Sequence, residues 1–238
     1  MLRIDFVTLF PEMVLDAVGH SILKRATEAG LVKFGSATPR EFATDNHRTV
    51  DDSPFGGGPG MLMKCEQVSA AIDSLKPDEN SAIVMTDPTG VPFTQSLAQE
   101  LSQKEQVIFV CGHYEGIDDR VRKLYATHNV SIGDFVLTGG ELPSLVMADA
   151  VVRLLPGALG CADSLGADSH SDGLLSAPQF TRPEVFRGES VPDVLRSGDH
   201  GAVDKWRRKQ ALELTRQNRP DLFWRAELTK DDVKLLQS

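Results

Sequence analysis

Apolar residues alternate with polar ones over residues 2–8, the period of a strand. From Pro11 the spacing becomes helical and runs, with a break near Gly19, to Ala29; Gly30 suits the position just past a helix end. A short strand is expected over 32–36 and an amphipathic helix over 64–75. Residues 81–85 read as a strand ended by the turn Asp87-Pro88-Thr89-Gly90. A helix over 94–103 has Thr94 as its N-cap. Then follow a strand (107–111), a helix (117–127), a strand (129–132) and a helix (142–154). Strands alternating with helices imply an α/β fold with a mostly parallel sheet and helices on both faces.

After Pro156 the pattern changes. Residues 157–173 are rich in Gly, Ala, Ser and Asp and have weak periodicity, which reads as a long mobile linker. Helical spacing returns over 191–197, 201–216 and 229–236, and Asp231 and Asp232 favour the first turn of the last helix. The expected division is an α/β domain at 1–160, a flexible connector at 161–175 and a small helical domain at 176–238.

The chain has 238 residues, 41% of them hydrophobic, enough for a substantial core. No apolar stretch reaches transmembrane length; the best, 146–155, contains Asp149 and Arg153. Asp5 lies inside the first apolar run and no small-residue cleavage site follows, which argues against a signal peptide. Cys65, Cys111 and Cys161 form neither a disulfide framework nor a zinc pattern and fit a reducing cytoplasm. The net charge of −9 opposes non-specific binding to nucleic acid. Its distribution qualifies that: residues 176–226 hold ten Lys/Arg against seven Asp/Glu, so that segment is +3 and the remainder −12. A basic carboxyl-terminal part can still bind a polyanion.

Two glycine-bearing turns each follow an apolar run: Cys111-Gly112-His113-Tyr114-Glu115-Gly116, and Gly133-Asp134-Phe135-Val136-Leu137-Thr138-Gly139-Gly140-Glu141. In open α/β sheets ligands collect at loops leaving the carboxyl ends of strands, and glycine lets backbone groups approach them. Neither turn is a P-loop or a dinucleotide fingerprint. A small ligand held by backbone is expected. Asp118 and Asp119 suit a helix N-terminus, whereas Glu115, inside the turn, could accept hydrogen bonds from an amine or a ribose. The loop from Asp45 to Met61 places His47, Arg48, Asp51 and Asp52 before a run of glycines and Pro59; it is either a surface loop or a binding loop. Arg153, the one cation at an apolar helix end, either meets the helix dipole or stabilises an anion. Asp163, Asp168 and Asp172 read as solvated linker charges. Arg182 and the run Lys205-Trp206-Arg207-Arg208-Lys209 can contact phosphates and stack on a base; the alternative is an amphipathic helix with Trp206 in the core.

Taken together, these segments resemble the bacterial tRNA (guanine-37 N1)-methyltransferases of the knotted (SPOUT) methyltransferase superfamily. The likeness runs nearly the whole length. It rests on Leu9-Phe10-Pro11-Glu12-Met13, His47-Arg48-Thr49-Val50-Asp51-Asp52, Gly56-Gly57-Gly58-Pro59-Gly60-Met61, the two glycine turns, Leu155-Pro156-Gly157 and Thr181-Arg182-Pro183-Glu184-Val185.

The resemblance implies a deep trefoil knot, a rare exception to chain threading, and S-adenosylmethionine as methyl donor. Gly112, Ile132, Gly133, Asp134, Phe135, Val136 and Leu137 would hold the donor; Met85, Thr86, Pro88, Gly90, Tyr114, Glu115, Gly139, Gly140 and Pro143 would line its pocket. The family's general base is the Asp of a D-S-x-x-x-G-L-L run, here Asp168 of Asp168-Ser169-His170-Ser171-Asp172-Gly173-Leu174-Leu175. Arg153 matches the arginine that stabilises charge on the guanine. The resemblance also implies a homodimer with shared sites. tRNA would be bound by the helical domain through Arg182, Lys205, Arg207 and Arg208, and by His47, Arg48 and Asp51. A magnesium ion is implied too; the sequence offers no dedicated cage, although Glu115 and Asp168 could share one. The pattern departs at Asp87, where the family commonly has serine-proline, and at His113, where arginine is frequent. Two alternatives compete: a non-catalytic RNA-binding protein that keeps the fold, and a knotted methyltransferase acting on another RNA position or on ribose.

Overall fold

The computed structural model describes residues 1–160 and 168–237. Cys161, Asp163 and the rest of the expected connector at 161–167 lie outside the described residues. The chain groups into two compact units, Met1–Gly160 and Cys161–Ser238.

Unit one runs β1 (Leu2–Val7), α1 (Pro11–Val18), α2 (Ser21–Glu28), β2 (Val32–Ala37), a 3-10 turn (Pro39–Phe42), β3 (Asp51–Asp52), β4 (Leu62–Met63) and α3 (Cys65–Ser74). It continues with β5 (Ser81–Pro92), α4 (Gln95–Ser102), β6 (Gln106–Cys111), α5 (Asp119–Tyr125), β7 (His128–Ser131) and α6 (Glu141–Val152). Five strands form one sheet in the order β2-β1-β6-β5-β7, with every neighbouring pair parallel. β3 and β4 pair antiparallel beside it.

The two-residue period of a strand explains the layers. Val107 and Phe109 of β6 point into one core with Ile4, Phe6, Val84, Ala98 and Met147, under α1, α2, α4 and α6. Ile108 and Val110 point into the other, with Val7, Ile83, Val68 and Val121, under α3 and α5. A strand buried on both faces loses its polar alternation, which is why β6 is an unbroken apolar run from Val107 to Cys111.

The expected α/β architecture is therefore present, the break near Gly19 included, with one local difference in β5. The helical pattern over 11–29 is two helices parted at Gly19 and His20, and Gly30 takes the left-handed conformation expected of it (φ +70°). The turn at Asp87 does form, with Asp87 Oδ1 accepting from Thr89 N and Oγ1. It does not end the strand. It is a bulge between Thr86 and Val91, after which β5 resumes pairing with β7.

Unit two holds a short hairpin, β8 (Val185–Phe186) and β9 (Glu189–Ser190), a 3-10 turn (Asp193–Arg196), α7 (His200–Asn218), α8 (Pro220–Phe223) and α9 (Lys230–Gln237). Helical spacing over 191–197 yields only that one turn, because Pro192 and Gly198 bracket it. Leu174, Leu212 and Phe223 form its buried centre.

Candidate functional site

The bulge of β5 and the carboxyl ends of β6 and β7 open into a cleft of about 210 Å³. Its floor is Met85 and Thr86 from β5, Gly112 just beyond β6, and Val130 and Ser131 from β7. Its walls are the loops 113–117 and 132–140, with Pro143 from the first turn of α6. Of the residues expected around the methyl donor, all but Gly90 and Asp134 border this cleft. Asp134 is exposed on the 132–140 loop. Gly90 sits in the β5–β7 pairing, where a Cβ would come within 2.4 Å of Val130 N, so glycine there serves the close approach of two strands. Asp87, His113, Gly116, Ile117 and Thr138 also border the cleft.

The two glycine turns touch. Gly140 N donates to Gly112 O at 2.9 Å, and His113 bridges to Gly139 in antiparallel fashion. A Cβ on Gly140 would lie 2.2 Å from Thr86 Oγ1 and 2.7 Å from Cys111 Cα. One on Gly139 would lie 2.3 Å from His113 Nε2. A side chain at Gly140 would meet backbone and one at Gly139 would displace the His113–Glu141 pair, so both glycines leave bare backbone at the cleft. Tyr114, at φ +59°, turns the first loop. The glycine-rich loop docks onto that same loop: Glu115 N donates to Met61 O, Met63 N to Gly116 O, and Asp118 N to Met63 O. A Cβ on Gly60 would lie 2.3 Å from Glu115 Cγ, so that loop backs the Glu115 side chain closely.

Sequence reasoning missed the buried group beneath the cleft. Glu141, 2% exposed at the start of α6, accepts from Thr8 Oγ1 at 2.6 Å and pairs with His113 Nε2 at 2.9 Å. Phe10 packs its ring 4.9 Å from the imidazole. Thr8 and Glu141 are far apart in sequence, and only the departure at His113 hinted at a local difference. Ser144 Oγ donates to Gly140 O at 2.7 Å and lies 3.2 Å from Cys111 Sγ. Burial first, and the Glu141 charge second, push the Cys111 thiol far up, so it stays protonated and packs as an apolar group.

The other expected residues fall elsewhere. Arg153 caps the carboxyl end of α6, half-buried, its backbone N donating to Asp149 O at 3.1 Å, and is not among the residues bordering the cleft. His47 and Arg48 are exposed in a turn organised by Asp45, which accepts from His47 N and Thr49 N; Asp51 pairs with Met63 in β3. In unit two, Arg182, Lys205 and Arg207 are exposed, and Trp206 packs 6.3 Å from Phe180, half-buried. Asp168 borders a second cavity, of about 660 Å³, with Asp172, Phe180, Arg207 and Arg208. Asp118 is the N-cap of α5, accepting from Arg120 N, which accounts for it structurally.

Among the described residues, no group of three or more His, Cys, Asp or Glu is placed to hold a metal ion, and no helix is long and apolar enough to cross a membrane.

Comparison with known proteins finds the chain similar to methyltransferases of one family. The family described as tRNA (Guanine-1)-methyltransferase TrmD matches residues 2–225. A protein of Dehalococcoides mccartyi (strain CBDB1) named tRNA (guanine-N(1)-)-methyltransferase is 51% identical over 237 residues, covering 99% of this chain and 96% of its own length. Proteins of the same name from Staphylococcus haemolyticus (strain JCSC1435) and Staphylococcus epidermidis (strain ATCC 35984) are 48% and 47% identical, each covering 100% of this chain and 97% of its own length.

Proposed function

The chain belongs to the tRNA (guanine-1)-methyltransferase family, and on that premise we propose that it methylates N1 of guanine-37, beside the anticodon of tRNA, with S-adenosylmethionine as donor. The observation that carries the reading is the cleft at the β5 bulge and the ends of β6 and β7. There Gly112, Gly139 and Gly140 leave bare backbone, and Ile132, Phe135 and Leu137 offer apolar surface. Such a cleft suits a ligand with an aromatic base and several hydrogen-bonding groups. The donor would supply an electrophilic methyl group on a sulfonium.

Guanine N1 carries a proton and is a poor nucleophile until it leaves. Asp168 takes that proton, a contribution of roughly 10²–10⁴-fold for a positioned base. Arg153 stabilises the negative charge that spreads to O6. The N1 lone pair then closes on the methyl carbon as the bond from carbon to sulfur breaks. In keeping with the family resemblance, the reading includes a homodimer whose sites are completed across subunits, with the chain of unit one threaded as a knot. The target base leaves its stack to be reached. Exposed Arg182, Lys205 and Arg207 grip phosphates, helped by His47 and Arg48, while Asp51 accepts hydrogen bonds from tRNA base or ribose donors. The proton passes to Asp168 and the methyl passes from the donor to N1, so the donor leaves as a neutral thioether and the step balances.

The test is methyl incorporation from labelled S-adenosylmethionine into tRNA transcripts with G or A next to the anticodon. Transfer to the G form only, reduced at least 100-fold in Asp168→Asn, is expected. An undiminished rate in that variant removes Asp168 from the role, and equal labelling of both transcripts points to another RNA position.

A further inference from the structure

We infer that a chain of ion pairs, Asp232–Arg208–Asp172, holds the turn bearing Asp168 against α7, which makes Arg208 and Asp172 positioning residues for the base rather than tRNA contacts. The inference rests on the role given to Asp168 above.

Residues 168–176 fold back on themselves. Ser171 N donates to Asp168 O at 3.3 Å and His170 N to Leu174 O at 2.7 Å. Ser169 Oγ lies 3.0 Å from Ser176 Oγ and accepts from Ser176 N. His170 (φ +73°) and Gly173 (φ +83°) make the reversals. This turn is fastened at three points. Leu174, 2% exposed, sits in the core with Leu212 and Phe223. Leu175 N donates to Thr215 Oγ1 at 2.9 Å. Asp172 Oδ2 accepts from Arg208 Nη1 at 2.6 Å.

The third fastening is itself anchored. Arg208 Nε and Nη2 donate to the two oxygens of Asp232 at 2.7 and 3.0 Å, a bidentate fork that fixes the guanidinium plane. Asp232 is held in turn by a reciprocal cap at the start of α9: its Oδ2 accepts from Thr229 N, and its own N donates to Thr229 Oγ1. The Asp232 side chain is only 4% exposed. A folded cap thus sets the direction of Arg208, and Arg208 sets Asp172, four residues from the proposed base in the same turn. The cation stands between two carboxylates, so the cluster is net negative and repels phosphate. Its neighbours Lys205 and Arg207 are exposed and remain suited to that work.

Single-turnover methyl transfer to tRNA transcript, with tRNA affinity measured separately across a salt series, tests the inference on the full-length protein. Asp172→Asn and Arg208→Lys should slow transfer roughly 10–100-fold, the penalty of a misplaced base, with donor and tRNA affinities and the salt slope unchanged. Asp172→Glu should recover much of the rate. In an Asp168→Asn background, Asp172→Asn should add little, because the residue it positions has lost its function. A full rate in Asp172→Asn, a loss that multiplies with that of Asp168→Asn, or a salt slope shallower by about one in Arg208→Lys would overturn the inference while leaving the base reading in place. A full rate in Asp168→Asn alone would remove the base reading and the inference with it.

Discussion

Gly140→Ala isolates the close approach on which the cleft depends. At φ −84° and ψ −4° the backbone of Gly140 is acceptable to any residue, so alanine brings no conformational strain. By restricting the unfolded chain it should even add about 0.4–1 kcal/mol. The new methyl group, however, would lie 2.2 Å from Thr86 Oγ1, 2.7 Å from Cys111 Cα and 2.8 Å from Gly112 N. The last two are backbone atoms at the end of β6, and they cannot swing away as a flexible side chain can. Inserting a methylene-sized group into packed surroundings costs roughly 1–3 kcal/mol. The opposing gain is smaller, so the substitution should destabilise. For a unit of this size the melting temperature should fall by roughly 2–10 °C. S-adenosylmethionine affinity should fall as well, because the Gly140–Gly112 hydrogen bond fixes the cleft wall. The control is Gly160→Ala, where a Cβ meets nothing within 4 Å, and which should stay within about 0.5 kcal/mol of the parent. Differential scanning fluorimetry and isothermal titration with S-adenosylmethionine read both effects. A Gly140→Ala protein that melts and binds like the parent would refute the close approach of the two turns.

Glu141→Ala should lower stability in urea by about 3 kcal/mol, since it strands the buried Thr8 hydroxyl and the His113 ring together; a change under 1 kcal/mol would mean that the buried pair contributes nothing. The Arg208 fork holds the Asp232 carboxyl down at about 2. A carboxyl depressed in the folded state stabilises above its unfolded value near 3.9 and loses that contribution as pH falls toward 2. Acid unfolding of the parent should therefore steepen between about pH 4 and pH 2, and Asp232→Asn should be less stable at pH 7 with a flatter acid limb. Circular dichroism across that range checks it, and identical limbs would contradict it.

The sheet was legible because β1 alternates at the strand period and β6 is a continuous apolar run, and glycines marked the loops that follow. Thr94 and Asp118 were legible as caps because capping is local in sequence. The β5 bulge was not, since Asp87-Pro88-Thr89-Gly90 has the chemistry of a terminating turn and only the pairing with β7 keeps it inside a strand. The need for glycine at position 90 was hidden for the same reason: it comes from Val130, a contact across strands. Glu141 escaped notice because its partners Thr8 and His113 come from other elements and no periodicity links them. Composition alone made Asp168 and Asp172 solvated charges; only the fold joins Asp172 to Arg208, and Arg208 to the cap of the last helix.

Nucleoside mass spectrometry of a defined tRNA transcript, after incubation with the protein and S-adenosylmethionine, tests the central claim most directly. One 1-methylguanosine per transcript, mapped by nuclease fragments to the position beside the anticodon, is the predicted product. A methyl group on ribose, on another guanine atom or at another position, or no transfer at all, would contradict it.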